Sequence, residues 1–308
     1  MAAYIVCFLL FTVSLVSAPA PARTKVYRSD YTYNKKTDAF YKLHIETRTE
    51  RSATQVCSVE GAQLMIPSQR DIIQLHGMLK QFPDIGNYVW VGSDGKEHES
   101  AEETPIIDLS PTNADIRTGF PWSRECDVVT RQGDVDSFPC YRQLPFICKV
   151  EAKDAPYDEH CHVFGTGYKY FPSIGSCYKI PRIVYSWNEA YADCRAQNAH
   201  LLVLNSETEM LAVKNLTNTE LSVAGARFAW FFYAGFRADK PVGNSTRVFK
   251  TIFNQTLEEA GYSVWSPNEP NNALSNEDCG SVFKNDGKLN DVDCSQTYAF
   301  VCEKEINV

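Results

Sequence analysis

The cysteines of this chain are written twice. Cys57 and Cys194 stand 137 residues apart, and the same offset brings Tyr31-Thr-Tyr33 onto Tyr168-Lys-Tyr170 and Gln63-Leu64-Met65-Ile66 onto His200-Leu201-Leu202-Val203. Phe40-Tyr41-Lys42-Leu43 likewise falls on Cys177-Tyr178-Lys179-Ile180. The ends match too. Cys140 and Cys148 are 8 residues apart, as are Cys294 and Cys302, and each pair closes on an apolar dipeptide, Phe146-Ile147 and Phe300-Val301. Self-similarity at a fixed offset is the mark of a repeated structural unit. Two units are therefore expected, at 25–150 and 156–308, joined by the charged stretch Lys149 to Tyr157 with its Pro156.

The chain has 11 cysteines, and one of them, Cys7, lies in a segment of its own kind. Met1 to about Ala18 carries no charged side chain, contains the apolar run Ile5 to Phe11, and is followed by small residues up to Ala22. This reads as a secretory signal peptide over 1–22, cleaved after Ala18 or Ala22. Cys57, Cys126, Cys140, Cys148, Cys161, Cys177, Cys194, Cys279, Cys294 and Cys302 remain. An even set in an exported chain implies a disulfide framework whose connectivity the spacing leaves open. Three glycosylation triplets, at Asn215, Asn244 and Asn254, agree with export. The formal net charge of −8 and the lack of a basic run argue against nucleic acid or an anionic membrane as the main partner. The aromatic stretch Phe228 to Phe236 is too short to span a bilayer and reads as a core strand.

Local patterns repeat as well. Ser186-Trp-Asn-Glu189 has the form of a capping box opening a helix through Cys194, with Ser52-Ala-Thr-Gln55 as its first-half counterpart. Leu201 to Leu204 is strand-like, and Ser206-Glu-Thr-Glu209 then caps a second helix, matched by Ser68-Gln-Arg-Asp71. A short apolar strand follows in each half, Val89-Trp-Val91 or Phe231-Phe-Tyr233 running into Ala234-Gly-Phe236, and then a long irregular stretch. Two helices beside antiparallel sheets, with a long loop, make an α+β arrangement.

The chemistry concentrates near the C-terminus, where Glu269, Asn271 and Glu277 run up to Cys279, and Asn290 and Asp291 lie between Cys279 and Cys294. Carboxylates and side-chain amides are hard oxygen donors, the ligands calcium prefers. Five of them hold one ion and leave positions open for hydroxyls of a sugar. His160-Cys161-His162 has a faint zinc pattern, but Cys161 has a better use in a disulfide. No Ser/His/Asp or Cys/His nucleophile pattern stands out, so the chain reads as a binding protein rather than an enzyme.

Two helices, the strand after them, Glu269-Pro270-Asn271, Glu277-Asp278-Cys279, Asn290-Asp291 and four framing cysteines together resemble the C-type lectin domain. The tandem arrangement after a signal peptide resembles the secreted dual-domain lectins of insect immunity, the immulectins. The resemblance implies bridges Cys57–Cys148 and Cys126–Cys140, then Cys161–Cys177, Cys194–Cys302 and Cys279–Cys294. It implies a cis bond between Glu269 and Pro270 that turns both flanking side chains toward one calcium. It also implies that Glu269, Asn271, Glu277, Asn290 and Asp291 bind calcium and sugar together, with a preference for mannose, N-acetylglucosamine or glucose on microbial surfaces. Haemolymph is then the expected location, and haemocyte surfaces or immune proteins are further expected partners. Leu289 replaces the usual tryptophan of the motif, and the loop before it is one residue longer. The first half departs further. Arg124 stands where Glu277 does, Asp136-Ser137 replaces Asn290-Asp291, and Ser110-Pro-Thr-Asn113 is only an echo of Glu-Pro-Asn. No calcium is expected there, because an arginine repels the ion; the loop is expected either to contact a charged glycan such as lipopolysaccharide, or a protein, or to belong to a domain that is only a scaffold. An auxiliary calcium site would draw on Asp239 and Asp278, but Asn272 stands where an acid is expected. The alternative reading is a lectin-like protein-binding module whose calcium is structural.

Overall fold

The computed structural model describes residues 25–93, 124–220, 223–239 and 247–306. The leader segment, Ser110 to Asn113 and Asn244 lie outside them. The first half runs β1 (Thr32–Asn34), β2 (Ala39–Arg48), α1 (Glu50–Val59), β3 (Gln63–Leu64), α2 (Gln69–Leu79), β4 (Tyr88–Trp90), β5 (Glu125–Thr130), β6 (Val135–Pro139) and β7 (Leu144–Glu151). The second runs β8 (Tyr157–Asp158), β9 (Val163–Phe164), β10 (Lys169–Phe171), β11 (Ser176–Lys179), α3 (Trp187–Ala196), β12 (His200–Leu201), α4 (Glu207–Thr219), β13 (Phe231–Ala238), β14 (Phe249–Thr251) and α5 (Leu257–Ala260). It closes with β15 (Cys279–Phe283), β16 (Leu289–Val292), β17 (Ala299–Phe300) and β18 (Cys302–Glu305).

The helices start where a side-chain oxygen can take a free backbone N–H. Ser68 with Asp71 and Ser186 with Glu189 form reciprocal boxes, and Ser206 accepts from Glu209 N–H. The start expected at Ser52 is corrected. Thr49 is the cap of α1 and accepts from the Ser52 N–H, so the helix opens three residues earlier. Each helix buries one stripe: Ala53, Val56 and Cys57 on α1, and Trp187, Ala190 and Cys194 on α3. Those stripes carry the cysteines that tie helix to sheet, Cys57 to Cys148 and Cys194 to Cys302. Cys126–Cys140, Cys161–Cys177 and Cys279–Cys294 complete the set that the resemblance implies.

In the first half the strands join one sheet in the order β1-β2-β7-β4-β5-β6, with β3 also on β7. In the second they form β10-β11-β18-β12 and β14-β13-β15-β16, with β17 on β13 and a separate β8-β9 hairpin. Most pairs are antiparallel, as expected, and β4 on β7 and β17 on β13 add short parallel pairs. The Leu201–Leu204 run is shorter as a strand than its composition suggests. Leu202 N–H goes to Val301 O, while Leu202 O takes Gly235 N–H, so the segment bridges two sheets instead of laddering along one. The aromatic stretch is also redrawn. Its strand begins at Phe231, and Phe228 and Trp230 lie exposed before it, stacked on each other with centroids 5.4 Å apart. Among the described residues no helix is long and apolar enough to cross a membrane. Asn215 and Asn254, two of the three glycosylation candidates, are exposed.

Candidate metal and sugar loop

The loop from Trp265 to Asp278 is anchored before its acids are placed. The Trp265 ring packs on Phe236 and Phe249, with centroids 5.8 and 4.9 Å away. Ser266 N–H donates to Leu289 O at 2.9 Å, and Leu289 N–H donates to Val264 O at 3.1 Å. Leu289, buried where a tryptophan was expected, is thus the hinge between loop and hairpin. The β15–β16 register sets Gly280 against Asp291 and Ser281 against Asn290. Glycine is required at 280, since a Cβ there runs into the Phe236 ring.

Three of the five expected ligands, Glu269, Asn271 and Asp291, meet through direct hydrogen bonds, and Glu277 joins them through a shared backbone N–H. Glu269 and Asn271 flank a cis Glu269–Pro270 bond. Asn271 donates from its side-chain Nδ2 to Glu269 Oε1 at 2.8 Å and from its backbone to Asp291 Oδ1 at 3.0 Å. Asn272 N–H donates to Asp291 Oδ2, also at 3.0 Å. Ala273 N–H is shared between Asn271 Oδ1 at 2.7 Å and Glu277 Oε2 at 2.6 Å. Asn290 is the exception. Its Nδ2 is spent on Ser281 Oγ and the Asp291 backbone carbonyl, and none of its described hydrogen bonds reaches a side chain of the other four.

Burial and then Asp291, by hydrogen bond and by charge, push the Glu269 carboxyl up to about 7. Burial raises Glu277 as well, with Asp291 adding to it. Carboxylates crowded in this way favour a proton or a cation between them. The donor set fits calcium: three carboxylates and an adjacent amide oxygen, with Glu269 and Asn271 partly open to solvent.

One charged residue here went unread in the sequence. Arg247, 44 positions before Asp291, donates from Nη1 to Asp291 Oδ2 at 3.1 Å. Its Nη2 donates to the Glu277 carbonyl and lies 3.4 Å from Asp278 Oδ1. Asp239 pairs with Lys250 at 3.2 Å. Both acids considered for an auxiliary calcium are therefore held by side-chain cations. In the first half Arg124, Asp136 and Ser137 are all exposed, and Asp136 and Ser137 sit on the edge strand β6. A cavity of about 500 Å³ lies elsewhere, between the halves, lined among others by Lys42, Glu46, Glu60, Glu189 and Asp193.

Residues 183–304 match the family model described as the lectin C-type domain. A haemolymph lipopolysaccharide-binding protein of Periplaneta americana is 34% identical over 141 residues, covering 46% of this chain and 53% of that protein. C-type mannose receptor 2 of Rattus norvegicus is 22% identical over 287 residues, covering 87% of this chain and 18% of the receptor. The carbohydrate-recognition domain of the human scavenger receptor C-type lectin aligns at a TM-score of 0.37 and 20% identity, over 49% of this chain and 99% of that one. The chain thus spans about half the length of the cockroach protein and a smaller share of the receptor. The names of these relatives describe a lipopolysaccharide-binding protein and a C-type mannose receptor. The likeness to the C-type lectin domain thus falls on residues 183–304 of the second half.

Proposed function

We propose that this chain is a secreted, calcium-dependent lectin for mannose-, N-acetylglucosamine- or glucose-type sugars on microbial surfaces, built from domains at 25–150 and 156–308. The observation that carries the reading is the convergence of Glu269, Asn271, Glu277 and Asp291 on one loop, crowded enough to hold the Glu269 carboxyl near 7. Bound calcium would supply open positions for two vicinal hydroxyls. The protein's part is polarity. A carboxylate only accepts, whereas an asparagine side chain also donates, so Glu269 and Asn271 distinguish the two sides of a diol. Five disulfides suit an oxidising, extracellular setting. The cockroach relative's name adds lipopolysaccharide to the candidate ligands, with exposed Arg124 as a cation for its phosphates. One shallow sugar contact is worth about −4 kcal/mol, near millimolar, and repeated surface glycans multiply it by roughly 10²–10⁴.

The test is the double substitution Glu269→Gln with Asn271→Asp, read by competitive elution with mannose and galactose at saturating calcium. It preserves the charge of the pair and reverses its hydrogen-bond polarity. Calcium binding should survive, and mannose binding should weaken by about tenfold or more, the cost of one or two mismatched hydrogen bonds. A variant that keeps both calcium and its mannose preference would show that this loop does not contact sugar. The protein-binding module with a structural calcium would then take its place.

A further inference from the structure

A second cluster of ligand-type side chains lies on a different sheet of the lectin domain. On the β12–β18 pair, His200 stands directly opposite Glu303, and Glu305 is two positions further along β18. Opposite residues share a face of the sheet, as do positions i and i+2, so the register itself brings the three side chains together. One ligand atom from each lies within 4.8 Å of the others. His200 Nδ1 faces the Leu201 carbonyl at 2.9 Å and so carries the ring proton. That leaves Nε2 toward the carboxylates, 3.9 Å from Glu305 Oε2, too far for a hydrogen bond. Nε2 is buried with no hydrogen-bond partner, and so is Oε1 of the fully buried Glu303, whose Oε2 takes the Val203 N–H. Behind them Glu209, also fully buried, accepts from Tyr178 and from Asn205 N–H.

The first half shows what this place requires. Gln63 there stands opposite Lys149 on β3 and β7. Asp71 accepts from Tyr41 as Glu209 does from Tyr178. The Lys149 ammonium sits between two acids, 3.0 Å from Asp71 and 2.9 Å from Glu151. The second half keeps both flanking acids, as Glu209 and Glu305. It replaces the lysine with Glu303 and the glutamine with His200. A positive charge has been exchanged for a third carboxylate and an imidazole.

We propose that His200, Glu303 and Glu305 bind a divalent transition ion, with Zn²⁺ the best match, in the position the Lys149 ammonium fills in the first half. An imidazole among carboxylates selects zinc over calcium, and three protein ligands leave one zinc position open. The half-exposed Glu305 gives the entry path, and the Phe253 ring, 5.0 Å from the imidazole, holds it in place. Burial and the Glu209 charge raise the pKa of the Glu303 carboxyl well above the ordinary carboxylate value, so a proton competes with the ion for this place.

The experiment titrates the chelator-stripped full chain with Zn²⁺ by calorimetry and by thermal melting, then repeats it with His200→Gln, Glu305→Gln and Glu303→Lys. The first and last of these copy Gln63 and Lys149, an arrangement the same fold already accommodates. Wild type should take up one zinc and melt at a higher temperature with it. Each variant should lose about tenfold or more in zinc affinity while calcium binding is unchanged, and Glu303→Lys should melt higher than wild type without any metal. Zinc uptake that survives in His200→Gln and Glu305→Gln, for instance at His160 or His162, overturns the proposal. So does the absence of a zinc equivalent in wild type, which would leave a proton shared with Glu209 as the only cation there.

Discussion

Arg247 decides how the calcium loop behaves without its ion. Its guanidinium holds Asp291, Asp278 and the Glu277 carbonyl at once, and it lies over the Phe249 ring at 4.9 Å. The five candidate ligands could be picked out in the sequence because they lie close together on either side of Cys279 and their residue types point to calcium. Arg247 could not, since 30 or more positions separate it from each group it binds and no local pattern marks a long-range ion pair. Its positive charge opposes a second cation nearby, yet it supplies the loop with an internal counter-charge. Arg247→Gln should therefore destabilise the calcium-free protein more than the calcium-loaded one. The rise in melting temperature on adding calcium should grow by several degrees, because about 1 kcal/mol is worth roughly 2–4 °C in a domain of this size. Melting curves with calcium and with chelator check this, and an unchanged calcium increment would mean that the arginine is only packing.

Among the elements, the helix starts were the most legible, because a cap needs one oxygen at one position. Ser68, Ser186 and Ser206 are where the sequence put them. Thr49 was missed because its own partner, Ser52, also looks like a cap. The hydroxyl of Thr49 lies 3.4 Å from the Ser52 N–H, and the Ser52 hydroxyl accepts from Thr49 at 3.1 Å. Thr49→Ala should cost about 1 kcal/mol and Ser52→Ala no more than about 0.5. Urea denaturation midpoints of the two variants separate these positions, and equal losses would return the cap to Ser52. The strands were less legible, since apolar runs do not say which neighbour they bond. Leu201 to Leu204 is buried as its composition demands but divides its hydrogen bonds between two sheets. Phe228 and Trp230 carry strand-forming side chains and still lie outside the strand, stacked in solvent.

At the scale of the molecule, the 137-residue offset led to the expectation of two units, but it said nothing of how the halves meet, because a repeat carries no information about docking. They meet through charge. Arg28, buried in the first half, reaches Asp193 of α3 at 2.8 Å and Glu60 at 3.5 Å, while Ser29 N–H donates to Ala196 O at 3.1 Å. Gln55 adds a bond to the Arg182 carbonyl at 2.9 Å. Glu60 is the shared acid of this cluster and also binds His44 Nε2 at 3.1 Å. Burial alone would raise the Glu60 carboxyl, but Arg28, His44 and Lys42 hold it well below the usual carboxylate range. Burial alone would lower His44, but Glu46 and Glu60 raise it, so the imidazolium stacked 4.2 Å from Phe146 is favoured in the fold. A depressed acid stabilises fully above its unfolded value and loses that contribution progressively as the pH falls from there through its low folded value. A raised histidine stabilises fully below its unfolded value, about 6.5, and loses that contribution as the pH rises through its folded value. The contribution of Glu60 should thus drain away gradually as the pH falls below about 4.5, and that of the histidine as the pH rises above about 6.5. Buried Lys179, lowered to about 8, works in the opposite sense above that pH, so the useful window is about 6.5 to 8. Glu303, raised by its own burial, tilts stability in the same direction as His44. The quantity to measure is therefore the difference between wild type and His44→Gln in melting temperature across this window. The advantage of wild type should be largest at the acidic end and shrink toward pH 8, and a constant difference would mean that His44 is neutral in the fold and that Arg28 and Lys42 alone hold Glu60 in place.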